Sequence, residues 1–272
     1  MRPHIFFMVF LGYFVSFLLY FMNFESQKET LYHIAKRVAL LTLSFHSAFL
    51  LITFVKTPHF LLTNLSGTIE MLSFLILTVS FVIESRSKAK FLMLFSLPIV
   101  LVFCLFAIVL VEQKDSSAVA SGSGWLWLHL SFILTGFSSL IIAVSSALMY
   151  LLQSAQLKSK HPGKIFLKLP ALDTLDRIHF RALAWGVILF SLGSLMGFLW
   201  VKNANDLKQV LRDPTVILSF VTCLIYWVIL SFRLSALRRG QKIAISTILV
   251  FVLIFLTLLT SSIGSTGFHR GF

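Results

Sequence analysis

Eight apolar runs of membrane-spanning length follow one another along this chain. A helix of about 20 apolar residues crosses a hydrocarbon core of about 30 Å. The runs are continuously apolar instead of alternating, and in lipid a helix satisfies its own backbone hydrogen bonds, so they predict helices and not the strands of a barrel. We predict an all-α integral membrane protein, a single transmembrane domain over 1–272 with about eight transmembrane helices. The runs lie near 5–22, 38–55, 65–83, 91–111, 125–152, 180–200, 214–234 and 243–263.

The positive charges predict how this bundle is oriented. Of the 23 Lys and Arg residues, 16 fall in alternate connections, which the positive-inside rule assigns to the cytoplasm. The other seven fall on the opposite side, so both termini are predicted to lie outside the cytoplasm and the protein to be multi-pass in the inner (cytoplasmic) membrane. The net charge of +13 is then a topology signal, and we predict the lipid bilayer and no nucleic acid as its partner.

Three smaller features complete the organisation. The first apolar run has only Arg2 before it and no A-x-A pattern after it, so we predict a retained helix and not a cleaved signal peptide. The segment 153–178 is predicted to be a cytoplasmic loop with a Pro-interrupted amphipathic piece along the interface. Gly193 and Gly197 form a small-x-x-x-small face on which another helix can pack closely.

Two histidines at the ends of different spans are predicted to lie on the same, outer side. His129 is just inside the outer end of the fifth span, and His269 follows the last span after a G-S-T-G run. Neutral imidazoles are good axial ligands of haem iron. A shallow pocket bordered by aromatic rings and cations also suits a flat apolar plate with two propionates. Both histidines are therefore haem-ligand candidates, and the candidates for the pocket rim are Trp125, Trp127, Trp200, Arg212, Asp213 and Arg270.

A second pair of polar residues lies deep inside two spans. His46 and Glu70 are placed at similar depths on neighbouring antiparallel helices, so their side chains are predicted to come within reach of a hydrogen bond. Three interpretations remain open for His46: a satisfied pair with Glu70, a deeper second haem ligand, or part of a proton path. His179, at the cytoplasmic start of the sixth span, is predicted to reach for the interface.

The C-terminal half carries a recognisable series of motifs. WLWLHLSF (125–132), LPALDTLDRIHFRALAWGVILFSLGSLMGFLW (169–200) and SSIGSTGFHRGF (261–272) follow one another in order. Over roughly 120–272 the chain resembles the cytochrome c assembly family of membrane haem-handling proteins, of CcsA/ResC, CcmC and HemX-like type. In that family two outer histidines flanking a Trp-rich loop hold haem, and they match His129 and His269. Of the loop motif this chain keeps Trp200 and Asp213-Pro214, with Arg212 where a Trp would stand and Ser231 where a further histidine would fall.

The resemblance implies a function and leaves alternatives. It implies that the protein holds non-covalent, b-type haem near the outer face while an apocytochrome c attaches its own C-x-x-C-H thiols, with a partner membrane subunit of the assembly system. It also implies binding and not catalysis, and the sequence has no G-x-G-x-x-G, P-loop or H-E-x-x-H motif. The alternatives are a HemX-like protein linked to haem biosynthesis or its regulation, a small-molecule permease, and a structural subunit of a larger complex.

Overall fold

The computed structural model describes residues 2–57, 60–61, 64–87, 89–110, 124–159, 163–202, 214–235 and 240–263. Over these residues the chain is helical and contains no strand. Nine helices are described, and all but one are long. They are α1 Arg2–Ser26, α2 Glu29–Lys56, α3 Leu65–Arg86, α4 Leu92–Leu110, α5 Gly124–Lys158, the short α6 Lys164–Lys168, α7 Leu172–Lys202, α8 Pro214–Leu234 and α9 Gln241–Ile263.

The predicted all-α membrane bundle is confirmed. Within the described ranges seven helices, α1 to α5, α7 and α8, are long and apolar enough to cross a membrane. The eighth predicted span coincides with α9, whose apolar part Gln241–Leu253 falls among the shorter apolar helices in the described ranges. The single-domain prediction remains a prediction.

Side-chain contacts show which helix ends lie together. Trp127 at the start of α5 packs edge-on against Phe54 at the end of α2, with ring centroids 5.3 Å apart. At the opposite end, Phe24 of α1 packs against Phe91 before α4, with centroids 5.3 Å apart. Successive spans therefore alternate in direction. We call the end with Phe54 and Trp127 the outer end and the other the cytoplasmic end, following the orientation predicted from charge.

Glycines allow α5 and α7 to pack closely against each other. A Cβ added to Gly136 would lie 2.5 Å from the backbone nitrogen of Phe190. Cβ atoms added to Gly186 and Gly193 would lie 2.7 Å from side-chain atoms of α5. The close-packing face predicted at Gly193 and Gly197 is thus confirmed, and it holds the two helices near enough for backbone groups of one to meet side chains of the other.

The predicted cytoplasmic loop 153–178 is mostly helical, because α5 continues to Lys158 and α7 already begins at Leu172. Between them lies α6, whose Lys168 side chain donates to the backbone oxygens of Phe24 and Glu25. These oxygens belong to the last turn of α1, where carbonyl groups lack partners within the helix. Lys168 therefore ties the cytoplasmic end of the C-terminal half to that of α1.

Candidate functional site

His129 projects from the outer end of α5 onto α7. Its Nδ1 lies 2.7 Å from the backbone oxygen of Gly193. In most helices the side chains cover the backbone carbonyl groups, so a residue of a neighbouring helix cannot reach them. The absence of a Cβ at Gly193 and Gly197 gives the ring this approach.

The hydrogen bond to Gly193 fixes the tautomer of the neutral His129 ring. A carbonyl oxygen only accepts, so Nδ1 is the donor and carries the proton. In the neutral imidazole the lone pair then lies on Nε2. Histidines that bind metals almost always donate their other ring N–H to a carbonyl or carboxylate, which sets the tautomer and the ring orientation. His129 therefore has the electronic form and the second hydrogen bond of a metal-ligating histidine.

Gly197 forms the floor beneath the His129 ring. A Cβ at this position would lie 2.7 Å from His129 Cε1 and 3.0 Å from Nδ1. Such distances are shorter than van der Waals contact, so the ring occupies the space that a side chain would fill. The orientation of His129 is set both by the hydrogen bond to Gly193 and by this contact.

The two tryptophans near His129 lie on different faces of α5. Trp125, one turn earlier, donates from Nε1 to the backbone oxygen of Met196 at 2.9 Å, and this bond fastens the first turn of α5 to α7. Trp127 instead faces α2 through Phe54. Trp125 is placed beside the histidine as a rim residue would be, whereas Trp127 packs against the N-terminal half.

Most of the remaining predicted site residues lie outside the described residues. His269, Arg212, Asp213 and Arg270 lie outside the described residues, as does the side chain of Trp200, whose backbone is in α7. The course of α9 bears on the histidine pair. Gln241 at its start accepts a hydrogen bond from Lys158 at the cytoplasmic end of α5. Because α9 starts there, it runs toward the end of the bundle that carries His129.

His46 and Glu70 are both fully buried inside the first four helices. His46 Nδ1 lies 2.8 Å from the Tyr13 hydroxyl, and its Nε2 has no hydrogen-bond partner among the described residues. The polar partner that the structure gives His46 is therefore Tyr13, on α1. The ring is otherwise enclosed by Phe6 and Phe74, with centroids 5.7 and 5.5 Å away.

A polar cluster at the cytoplasmic end was not recognised in the sequence. Arg233 of α8 forms an ion pair with Asp176 of α7, and its guanidinium lies over the Phe180 ring, 5.4 Å from the centroid. His179, predicted to reach for the interface, is instead 3% exposed and bonds Thr247 of α9 through Nε2 at 3.1 Å. The signal available in the sequence was the spacing of Asp176 and His179, which places both on one face of a helix.

Comparison with known proteins now adds to this geometry. The family model described as cytochrome C assembly protein matches residues 62–269. The chain belongs to the cytochrome c assembly protein family. The match begins well before residue 120, so the similarity includes α3 and α4 as well as the C-terminal motifs.

Individual relatives of this family member are distant but extend over most of its length. The cytochrome c biogenesis protein CcsA of Guillardia theta is 24% identical over 234 residues, covering 79% of this chain and 77% of the relative. CcsA of Prochlorococcus marinus strain SARG is 24% identical over 247 residues, covering 81% and 78%. Protein HemX of Brevibacillus brevis is 24% identical over 252 residues and covers 91% of both chains.

Proposed function

We propose that this protein binds haem near the outer face of the membrane during cytochrome c assembly, with His129 as an axial ligand through Nε2. The observation that carries the proposal is the hydrogen bond from His129 Nδ1 to the Gly193 carbonyl. A neutral histidine that donates Nδ1–H to a backbone carbonyl has its Nε2 lone pair held in one direction, which is what an axial ligand needs. Family membership supplies the context of cytochrome c assembly.

The second axial ligand is proposed to be His269. This proposal is supported by the resemblance to the family pattern, in which a histidine follows the last span, and by the course of α9 toward the end that carries His129. Among the rim residues, Trp125 would cover an edge of the bound group, and Arg212 and Arg270 would attract its propionates. When bound, haem would supply an iron that can take two imidazole ligands. It would also supply vinyl groups that a partner's thiols can attack.

The chain's own residues bind and orient, and none is proposed to catalyse. Gly193 and Gly197 fix the direction of His129, Trp125 anchors the start of α5, and the apolar bundle keeps the site at the membrane surface. The cysteine thiols come from the proposed partner, an apocytochrome c, with a partner membrane subunit of the assembly system. The proposed location is the inner (cytoplasmic) membrane.

A second function is supported by one relative and by the loop motif. HemX of Brevibacillus brevis and this chain cover 91% of each other. The Trp-rich loop is also reduced here to Trp200 and Asp213-Pro214, and presenting haem to a partner is the task that most needs that loop. The alternative is a HemX-like protein linked to haem biosynthesis or its regulation.

Absorption spectra of the purified protein test the proposal. We expect the wild type from haem-replete cells to show a Soret band whose reduced form is typical of two axial imidazoles. His129→Ala and His269→Ala are each expected to change or lose this spectrum. His33→Ala is the matched control, because the His33 side chain is 60% exposed at the cytoplasmic end of α2.

Two outcomes of these spectra would contradict the proposal at different levels. A wild type that has no Soret band and takes up no added hemin would remove haem binding altogether. Unchanged spectra in both histidine variants would remove only the ligand assignment. If haem is bound, staining for covalent haem in a strain that lacks the gene separates the two functions, because only a maturation role predicts loss of cytochromes c.

A further inference from the structure

Buried polar side chains line one interior side each of α1 and α3. On α1 they recur every three or four residues and are at most 3% exposed, so they form one face of the helix. Along α3 they are spaced by three, four or seven residues, are at most 4% exposed and reach from the first turn to the last. We call these residues the polar stripe: Tyr13, Ser16, Tyr20 and Asn23 of α1, and Ser66, Glu70, Ser73, Ser80 and Glu84 of α3.

At the cytoplasmic end the polar stripe is anchored by Glu84. Its Oε1 accepts from the Tyr32 hydroxyl at 3.0 Å, and its Oε2 accepts from the backbone N–H of Met93 at 2.8 Å. Met93 lies in the first turn of α4, where amide groups have no partner within the helix. Glu84 is therefore held near the cytoplasmic boundary by two neighbouring helices.

One turn from Glu84, still in the cytoplasmic half of the bundle, the polar stripe is continued by hydroxyl groups. Ser80 donates to Ser96 Oγ at 2.9 Å, and Ser96 approaches Ser145 Oγ at 3.3 Å. These three residues belong to α3, α4 and α5, so the line of hydroxyls lies between helices and away from lipid. Ser16 of α1 is completely buried along the same interior.

In the outer half the polar stripe meets His46. The Tyr13 hydroxyl forms a hydrogen bond with His46 Nδ1. Cys104 of α4 is a further titratable side chain near both Tyr13 and Glu70. Ser66 completes the outer end by donating to the backbone oxygen of Ala107 at 2.8 Å. From Ser66 to Glu84 there are 18 helical residues, or about 27 Å at 1.5 Å per residue, close to the thickness of the hydrocarbon core.

Packing between helices explains the serines of the polar stripe, but it does not explain the ionisable side chains Glu70, Glu84 and His46. A serine in a membrane helix can donate its hydroxyl hydrogen to a backbone oxygen of the preceding turn, as Ser96 does to Leu92. Two carboxyl groups and an imidazole in the hydrocarbon region are far more costly, and such groups in membrane spans usually mark ion or proton routes. His46 also keeps a fully buried Nε2 that forms no hydrogen bond within the part of the chain that the structure describes. A ring nitrogen in this position can take up a proton or a water.

We propose that the polar stripe is a proton path, which leads from Glu84 at the cytoplasmic end to Glu70 and the His46–Tyr13 pair in the outer half. Each group takes up one proton on one side and releases one on the other, so no bond other than O–H or N–H changes. At His46 the proton arrives on Nε2, and Nδ1 passes one to the Tyr13 hydroxyl as that hydroxyl releases its own. The path is separate from His129 and does not depend on haem binding.

Proton flux into liposomes tests the path. The full-length protein is reconstituted with a pH-sensitive dye trapped inside, and a potassium diffusion potential set with valinomycin drives protons across the membrane. We expect wild-type liposomes to change internal pH severalfold faster than protein-free liposomes. Glu70→Gln and Glu84→Gln are expected to return the rate to the protein-free value. Glu25→Gln is the matched control, because Glu25 is an exposed acid outside the polar stripe, and it is expected to keep the wild-type rate.

Each result of the flux measurement decides the proposal. Wild-type liposomes no faster than protein-free ones would overturn it without any variant. A wild-type rate that persists in well-folded Glu70→Gln protein would also overturn it. If a glutamine variant fails to fold, His46→Gln, which keeps a buried polar group but cannot titrate, replaces it and is expected to lose the flux. Haem binding is measured separately by absorption, so failure of one proposal leaves the other standing.

Discussion

The Gly197→Ala variant is expected to bind haem at least about tenfold more weakly than the wild type, in line with the usual loss when the support of a metal ligand is disturbed. The added Cβ would lie 2.7 Å from His129 Cε1, too close for the ring to stay where it is. Moving the ring lengthens its 2.7 Å hydrogen bond to Gly193 and redirects Nε2. The measurement is a titration of the purified apoprotein with hemin, followed at the Soret maximum.

Gly124→Ala is the matched control for this titration. Gly124 also lies at the outer end of the same helix pair, and a Cβ there meets no atom of the described ranges within 4 Å. We expect it to bind haem like the wild type. Equal affinities for Gly197→Ala and the wild type, with identical spectra, would mean that Gly197 does not position an axial ligand.

Replacing Arg233 with alanine is expected to lower the free energy of unfolding by about 3 kcal/mol, the usual cost of removing one partner from a buried ion pair. The Arg233 side chain is 8% exposed and that of Asp176 is 25% exposed, so the carboxylate left behind is poorly solvated. The variant also loses the contact of the guanidinium with Phe180. Unfolding in mixed micelles with increasing SDS, followed by circular dichroism, measures the change.

Arg177→Ala provides the comparison for Arg233→Ala on the same turn of α7. Arg177 pairs with Asp173 at 3.0 Å, but their side chains are 61% and 75% exposed. Exposed pairs contribute little, so this variant is expected to change the free energy of unfolding by less than about 0.5 kcal/mol. Two equally small effects would contradict the view that the buried pair fastens α7 to α8.

The spans and the position of His129 were predictable because lipid penalises unpaired backbone and charge so strongly. Any run long enough to cross the membrane must be helical, and the basic residues then indicate which ends lie together. The contact of His129 with α7 was also implicit in Gly193 and Gly197, since two small residues four apart are a known signal for close helix packing. What the glycines leave undetermined is which side chain enters the gap.

The depth of His179 and the partner of His46 could not be predicted from the same patterns. An apolar run indicates which residues lipid surrounds, but a helix can begin before that run. The helix α7 begins at Leu172, just after Pro170, and no helix-breaking residue follows in its first turns. His179 therefore lies two turns inside a helix and not at its start. His46 and Glu70 were correctly placed at buried depths, yet the choice of Tyr13 as the partner of His46 depends on how α1 is rotated about its axis.

The most direct test of haem ligation by His129 is chemical rescue of the His129→Gly variant. This variant is expected to lose the spectrum of two axial imidazoles. Added free imidazole is expected to restore it, because a small imidazole can enter the space left by the side chain and bind the iron in its place. A variant that keeps the wild-type spectrum without added imidazole would contradict the proposal that His129 is the ligand.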